Sequence, residues 1–323
     1  MMTTHDPLPL VSVIIPTYNR LEYLKVALSS AVGQTYTNIE IIVSDNCSDQ
    51  NPQALVDSFQ DERILFYRNS ENMGMFLNAM GAFKKARGKY VASLLDDDMW
   101  EPNFLEKMIP PLERDGSLAL SFCDHYVMTE TGDIDPDATD HCSRINNRLS
   151  LPEGVYQPFH REALISGAIS PAMAAVIRRD SIDWNSIPVE AGSLWDAYIC
   201  YRSCCSGMGA YYVPERLTRV REHSQTVTML DGKRNIAGKI RKSRAKVFCY
   251  GQFMNDAQLR PFRNHFRKKW LHAHTTLGIG LMRSHQLSEA RQYFLFVLKK
   301  QFDIRTFISF LISLTPPPLA SRF

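Results

Sequence analysis

The chain lacks the paired-cysteine spacing of a zinc ribbon: its seven cysteines, at 47, 123, 142, 200, 204, 205 and 249, contain no CxxC. Scattered and odd in number, they also exclude a secreted disulfide scaffold and lead us to expect a reducing, cytosolic compartment. No basic segment precedes an apolar core at the N-terminus, so no secretory leader is expected. Apolar runs such as Phe307 to Leu314 are far too short to span a bilayer. No GxGxxG follows the first expected strand, which argues against a dinucleotide oxidoreductase. There is no long internal repeat.

Acidic residues are scarce in one region only. Residues 229–323 hold 18 Lys+Arg against 4 Asp+Glu, a net +14, whereas residues 1–228 hold 19 against 30, a net −11. The overall +3 therefore conceals two regions built for different electrostatic surroundings. With 45% hydrophobic and 22% charged residues over 323 positions, the composition is that of one large globular domain plus an appendage.

Strand and helix signals alternate through the first hundred residues. Leu10 to Ile15 reads as a buried strand ended by Pro16, and Thr17 to Arg20 as a polar turn. Leu21, Leu24, Leu28 and Ala31 recur at helical spacing up to Gly33. Ile39 to Val43 is a second buried strand leading to Asp45, Ile64 to Tyr67 a third, and Tyr90 to Leu95 a fourth. Between the last two, a helix face of Phe76, Met80 and Phe83 stops at Gly88. This is the pattern of an open, largely parallel sheet with helices on both faces. Ligands of such sheets sit beyond the carboxyl ends of the strands.

Residues 134–158 read as a long polar loop after a Thr131-Gly132-Asp133 turn. Ala210 to Val213 and Arg216 to Arg221 read as two strands. From about residue 230 the pattern is helical, in segments near 232–255, 259–283, 286–299 and 303–313, until Pro316-Pro317-Pro318. His272 and His274, two apart on one of these helices, face different directions and read as solvated or membrane-facing.

Asp96-Asp97-Asp98 stands where the fourth strand surfaces. Three adjacent carboxylates in a low dielectric repel one another. Two readings follow: a solvated acidic turn, or oxygen ligands for a divalent cation that carries a diphosphate on its other side.

Taken together, the turns resemble a known family. Val11 through Arg20, Gln34-Thr35-Tyr36, Ile39 through Val43 with Asp45-Asn46, Asn72-x-Gly74 with Asn78-x-x-Gly81, and Ala86-Arg87-Gly88-Lys89-Tyr90 running into Leu95-Asp96-Asp97-Asp98 are similar to family 2 glycosyltransferases of the GT-A fold. The likeness is dense over residues 10–125 and looser over 160–228. It implies an α/β GT-A domain at 1–228, a basic helical region at 229–323, and inverting transfer from a nucleotide sugar to a saccharide hydroxyl with Mn²⁺ or Mg²⁺. By the same resemblance Pro16, Thr17, Tyr18, Arg20 and Asp45 belong to the donor site, with Thr17, Tyr18 and Asp45 cradling the base. Asn72, Gly74 and Asn78 line it, with helix capping as the other reading for them.

The resemblance further implies that Asp96 faces the ribose, Asp97 the diphosphate region or its own turn, and Asp98 the metal. Asp196 matches the family's general base, although Ser193 and Asp196 also have capping-box spacing. The family often has an acidic residue just before this aspartate, where this chain has Trp195. Arg221-x-His223 resembles an Arg-x-His element closing over the diphosphate, with Arg221 on phosphate and His223 on metal or phosphate.

The basic helices suit the anionic cytoplasmic face of a membrane, which would place the enzyme beside a lipid-linked acceptor. Nucleic acid would be attracted by the same charge but is not the expected partner. Two rival readings are a sugar nucleotidyltransferase, which would want a glycine-rich loop in place of Pro16-Thr17-Tyr18-Asn19, and a non-catalytic sugar- or nucleic-acid-binding module with a degenerate site.

Overall fold

The computed structural model describes residues 8–170, 172–223 and 235–315. The chain forms two compact units, one of Met1–Ile187 with Asp196–Glu222, the other of Pro188–Trp195 with His223–Phe323.

The first unit is built on a nine-stranded sheet. Its strands are β1 Val11–Thr17, β2 Ile39–Asp45, β3 Ile64–Arg68, β4 Tyr90–Ser93, β5 Met99–Trp100, β6 Leu118–Met128, β7 Gly154–Tyr156, β8 Ala175–Arg178 and β9 Gly209–Arg221. They run in the order β3-β2-β1-β4-β8-β6-β9-β5, with β7 beside β9. The long ladders, β1 with β2 and β6 with β9, are parallel; β8 enters antiparallel between β4 and β6. Every residue of β1 and β2 is buried, which is why they read as unbroken apolar runs rather than alternating ones.

Helix α1 (Leu21–Val32) buries Leu24, Ala27, Leu28 and Ala31, the i, i+3, i+4, i+7 stripe that faces the sheet. Helices α2 (Gln53–Asp57), α3 (Met75–Lys85) and α4 (Phe104–Arg114) complete the alternation. Pro16 does not end β1. The ladder to β4 stops at Ile14 and Ser93, so its missing N–H falls beyond the last bond on that side.

Three elements differ from expectation. Within the expected polar loop, Pro136–Ile145 is a helix, α5: the Asp135 side chain caps the Ala138 amide and Pro136 occupies the first turn. Its buried residues are Thr139 and Ser143, so no apolar periodicity announces it. The two strands around residue 214 are one, β9, whose register against β6 shifts between Cys123 and His125 as the strand passes Pro214. Third, the apolar run Leu118 to Phe122, which by itself reads as a short strand, is only the first part of β6, which continues six residues further to Met128. The Thr131–Asp133 turn is present, with Gly132 at φ +98°. Two further helices belong to this unit, α6 (His160–Leu164) and α7 (Trp195–Cys204), the latter from its second residue onward.

The second unit carries α8 (Ile236–Asn255), α9 (Arg263–Arg283), α10 (Leu287–Lys300) and α11 (Ile304–Ser313). Its core joins Leu277, Leu281 and Met282 of α9 to Ala290 and Phe294 of α10. Gly278 lets these helices approach: a Cβ there would lie 2.6 Å from the Phe294 ring. His274 is buried, contrary to the solvated or membrane-facing reading; its Nδ1 lies 2.9 Å from the Trp270 carbonyl and its ring stacks on Phe296. His272 is exposed. Among the described residues, no helix is long and apolar enough to cross a membrane.

Candidate active site

The carboxyl ends of β1, β2 and β4 meet in the first unit and deliver Thr17, Asp45 and the aspartates to one edge of the sheet. Asp96, Asp97 and Asp98 are all buried, at 6%, 7% and 2% exposure, so the solvated-turn reading does not hold. Thr17 Oγ1 donates to Asp96 Oδ2 at 2.8 Å, with the Tyr18 amide at 3.4 Å from the same oxygen. Arg20 Nη1 bridges Asp96 Oδ1 at 3.1 Å and Asp97 Oδ2 at 2.5 Å.

Asp98 Oδ1 accepts from the Arg221 amide at 2.9 Å. The turn is also fastened by β5, where Met99 and Trp100 pair with Arg219 and Thr218 of β9. Burial and then the Asp97 charge push the Asp96 carboxyl up to about 6, against the pull of Arg20. The same two causes hold Asp98 well above the usual carboxylate range. A cluster in that condition is short of positive charge.

Asp45 is fully enclosed, at 0% exposure. It pairs with Arg68 Nη1 and accepts from the amide and hydroxyl of Ser48. Ser48 Oγ in turn accepts from the Asn19 amide at 2.8 Å, which ties the loop after β2 to the turn after β1. Arg68 and Ser48 were not foreseen from the sequence. The signal was positional: Arg68 ends β3 in direct register with Asp45.

Asn46 links this loop onward, donating to Asn72 Oδ1 at 2.8 Å and accepting from the Met73 amide at 2.9 Å. Asn72 Oδ1 also takes the Gly74 amide, and Gly74 enters α3 at φ +83°. Asn78 is buried and bonded to Ser44 through both its amide oxygen and its nitrogen. Asn69 donates to both Asn46 and Asn78. These asparagines thus serve the framework of the crevice, and none caps α3 with its side chain.

Arg221 is a clamp. Its Nε donates to the Asp97 carbonyl at 3.0 Å and its Nη1 to the carbonyls of Thr129 and Glu130, at 3.2 and 2.9 Å. The guanidinium also lies 5.1 Å from the centre of the Tyr23 ring. Tyr18 is 40% exposed beside this network. Asp196 stands in the first turn of α7, where its Oδ1 accepts from the Ala197 amide at 2.7 Å. Ser193 lies in a 3₁₀ turn, Val189–Leu194, and its buried hydroxyl has no hydrogen-bond partner among the described residues, so it does not cap α7. His223 is buried and begins the second stretch of the second unit. Ser224, Gln225 and Thr226 lie outside the described residues.

The donor set fits a divalent cation. Buried carboxylate oxygens, mutually repelling, are hard ligands of the kind Mg²⁺ and Mn²⁺ take.

A mixed sheet with helices on both sides and carboxylates gathered beyond its parallel strands defines a GT-A-type scaffold. The Staphylococcus aureus protein TarS (residues 1–349), in a structure with UDP-GlcNAc, superimposes with a TM-score of 0.62 at 15% identity, over 94% of this chain and 79% of that one. The mannosyltransferase PcManGT of Pyrobaculum calidifontis, in a structure with GDP-Man and Mn²⁺, gives 0.58 at 16% identity, over 97% and 83%. At these identities the likeness concerns the fold.

The chain belongs to glycosyl transferase family 2, whose model matches residues 12–181. An uncharacterized glycosyltransferase of Rickettsia typhi is 35% identical over 123 residues, 38% of each chain. A Bacillus subtilis protein named for teichuronic acid biosynthesis, TuaG, is 35% identical over 127 residues, 38% of this chain and 50% of that one. An Escherichia coli protein named for colanic acid biosynthesis, WcaA, is 32% identical over 121 residues, 37% and 43%. The chain thus spans half or less of the length of these relatives.

Proposed function

We propose that this protein transfers a sugar from a nucleotide donor, UDP- or dTDP-linked, to a saccharide hydroxyl with inversion, in the building of a cell-surface polysaccharide. The observation that carries this reading is the set of three buried carboxylates at the strand ends, held by Thr17, Arg20 and the Arg221 amide. A binding module would have no need to keep such mutually repelling groups out of water. The names of TuaG and WcaA favour the polysaccharide setting.

In this reading Asp98 would hold the dication, which when bound supplies the charge that favours diphosphate departure. Asp96 orients the donor's ribose while Thr17 and Arg20 fix its own carboxylate. Tyr18, exposed at the rim, offers a face to the base. Asp45 reaches the base only by exchanging bonds it now makes to Arg68 and Ser48, so we assign it to shaping the base site. Arg221, held by three carbonyls, positions Asp97 and Asp98 rather than gripping phosphate. Asp196 takes the proton from the acceptor hydroxyl.

A panel of nucleotide sugars, each assayed with Mn²⁺ by thermal shift and by release of nucleoside diphosphate, tests this. One uridine or thymidine donor is expected to raise the melting temperature and to be consumed. No shift and no release with any donor would overturn the reading.

We also propose that the basic helices attach the protein to an anionic membrane surface. Ile304, Ile308 and Leu311, at i, i+4 and i+7 of α11, are exposed by 61%, 50% and 47%, next to the exposed Phe302 and to Lys299 and Lys300. An apolar stripe flanked by cations suits an interfacial helix, each cation adding about 1 kcal/mol before screening. The full chain is expected to sediment with vesicles containing phosphatidylglycerol, and Ile308→Glu combined with Leu311→Glu to remain in the supernatant. Equal sedimentation of both proteins would contradict the assignment.

A further inference from the structure

His160 and the distant, adjacent pair Cys204 and Cys205 come together inside the first unit. A ring nitrogen of His160 and the two sulfurs all lie within 4.8 Å of one another. His160 is the first residue of α6, Cys204 the last of α7, and Cys205 the next residue along the chain. Cys204 is 2% exposed, while His160 and Cys205 are partly exposed. The Cys204 thiol is hydrogen-bonded to Cys205 and lies 3.3 Å from the Tyr201 carbonyl. Every cysteine among the described residues is free of disulfide bonds.

Two thiols and an imidazole are the donors that zinc selects, and they differ in kind from the carboxylate oxygens at the strand ends. Tetrahedral zinc, with bonds of about 2.3 Å to sulfur and about 2.0 Å to nitrogen, sets its ligand atoms roughly 3.5–3.8 Å apart. The observed cluster encloses that spacing and needs only a small contraction. A cation here also lies at the C-terminal end of α7, where the helix carbonyls favour positive charge.

We propose that His160, Cys204 and Cys205 form a zinc site, with water in the fourth position. Binding expels the two thiol protons to solvent: Zn²⁺ and two Cys–SH with neutral His give the bis-thiolate complex and two H⁺. The ion joins the start of α6 to the end of α7, the helix whose first turn carries Asp196. It closes a long loop of chain and adds its binding free energy to folding. The site does not depend on the glycosyl-transfer reading.

Full-length protein, reduced and stripped with chelator, is titrated with Co²⁺ as a spectroscopic substitute for zinc. One equivalent is expected to give sulfur-to-cobalt charge-transfer absorption, which carboxylate ligation at Asp96–Asp98 cannot produce, and Zn²⁺ should bleach it. Asp98→Asn and Cys142→Ser are expected to keep the band. His160→Gln and Cys205→Ser should bind more than ~100-fold more weakly, beyond the loss typical of an outer-sphere partner. Should those variants not fold, iodoacetamide mapping of the wild type decides: zinc is expected to protect the partly exposed Cys205 but not Cys47, which is exposed to a similar degree. Absence of the band, its persistence in both ligand variants, or equal alkylation of Cys205 with and without zinc would overturn the site.

Discussion

Asp98→Asn is expected to reduce sugar transfer by about 10²–10³-fold or more while leaving the melting temperature equal to or above that of the wild type. The activity term follows from removing an anionic ligand from the charge that stabilises the departing diphosphate. The stability term follows from the buried cluster. Asparagine keeps an oxygen to accept the Arg221 amide, now 2.9 Å from Asp98 Oδ1, yet carries no charge to repel Asp97 and Asp96. Most core substitutions destabilise, so a variant both inactive and no less stable separates a functional carboxylate from a structural one. Kinetics and calorimetry on one preparation read both terms. A variant that is less stable but still active would assign Asp98 to the fold.

The second large effect belongs to α7. Asp196→Asn is expected to leave donor affinity unchanged and to lower turnover by about 10²–10⁴-fold, the contribution typical of a positioned general base. Asparagine can still accept the Ala197 amide bond seen at 2.7 Å, so the helix start should survive. The signature is a loss in kcat without a rise in donor KM. Turnover within a few-fold of wild type would leave Asp196 as a helix-start residue alone.

The sheet edge was legible because a buried parallel strand advertises itself as an apolar run and its polar successor marks the ligand side. Thr17, Asp45 and Asp96 were all found that way. How Arg68 and Arg221 hold that edge was not. Arg68 acts on Asp45 because two strands happen to end in register, and Arg221 clamps the aspartates from more than a hundred residues away. Spacing along the chain carries neither fact. Helix α5 was hidden for a different reason: it buries Thr139 and Ser143 instead of an apolar stripe, leaving Asp135-Pro136 as the visible sign. His274 misled because a histidine in a basic helix looks solvated, whereas its ring completes an aromatic cluster with Trp270 and Phe296. The His160–Cys204–Cys205 cluster has no sequence motif, since His160 meets the two adjacent cysteines only in the folded chain.

The central claim is that the buried aspartates form a donor site that takes a dication together with a diphosphate. Electron paramagnetic resonance of free Mn²⁺, titrated with protein in the presence of UDP, tests it most directly. The wild type is expected to remove one Mn²⁺ per chain from the free signal, and Asp98→Asn, folded to the same extent, to remove little beyond what UDP alone binds. Equal depletion by the two proteins, or none by either, would contradict it.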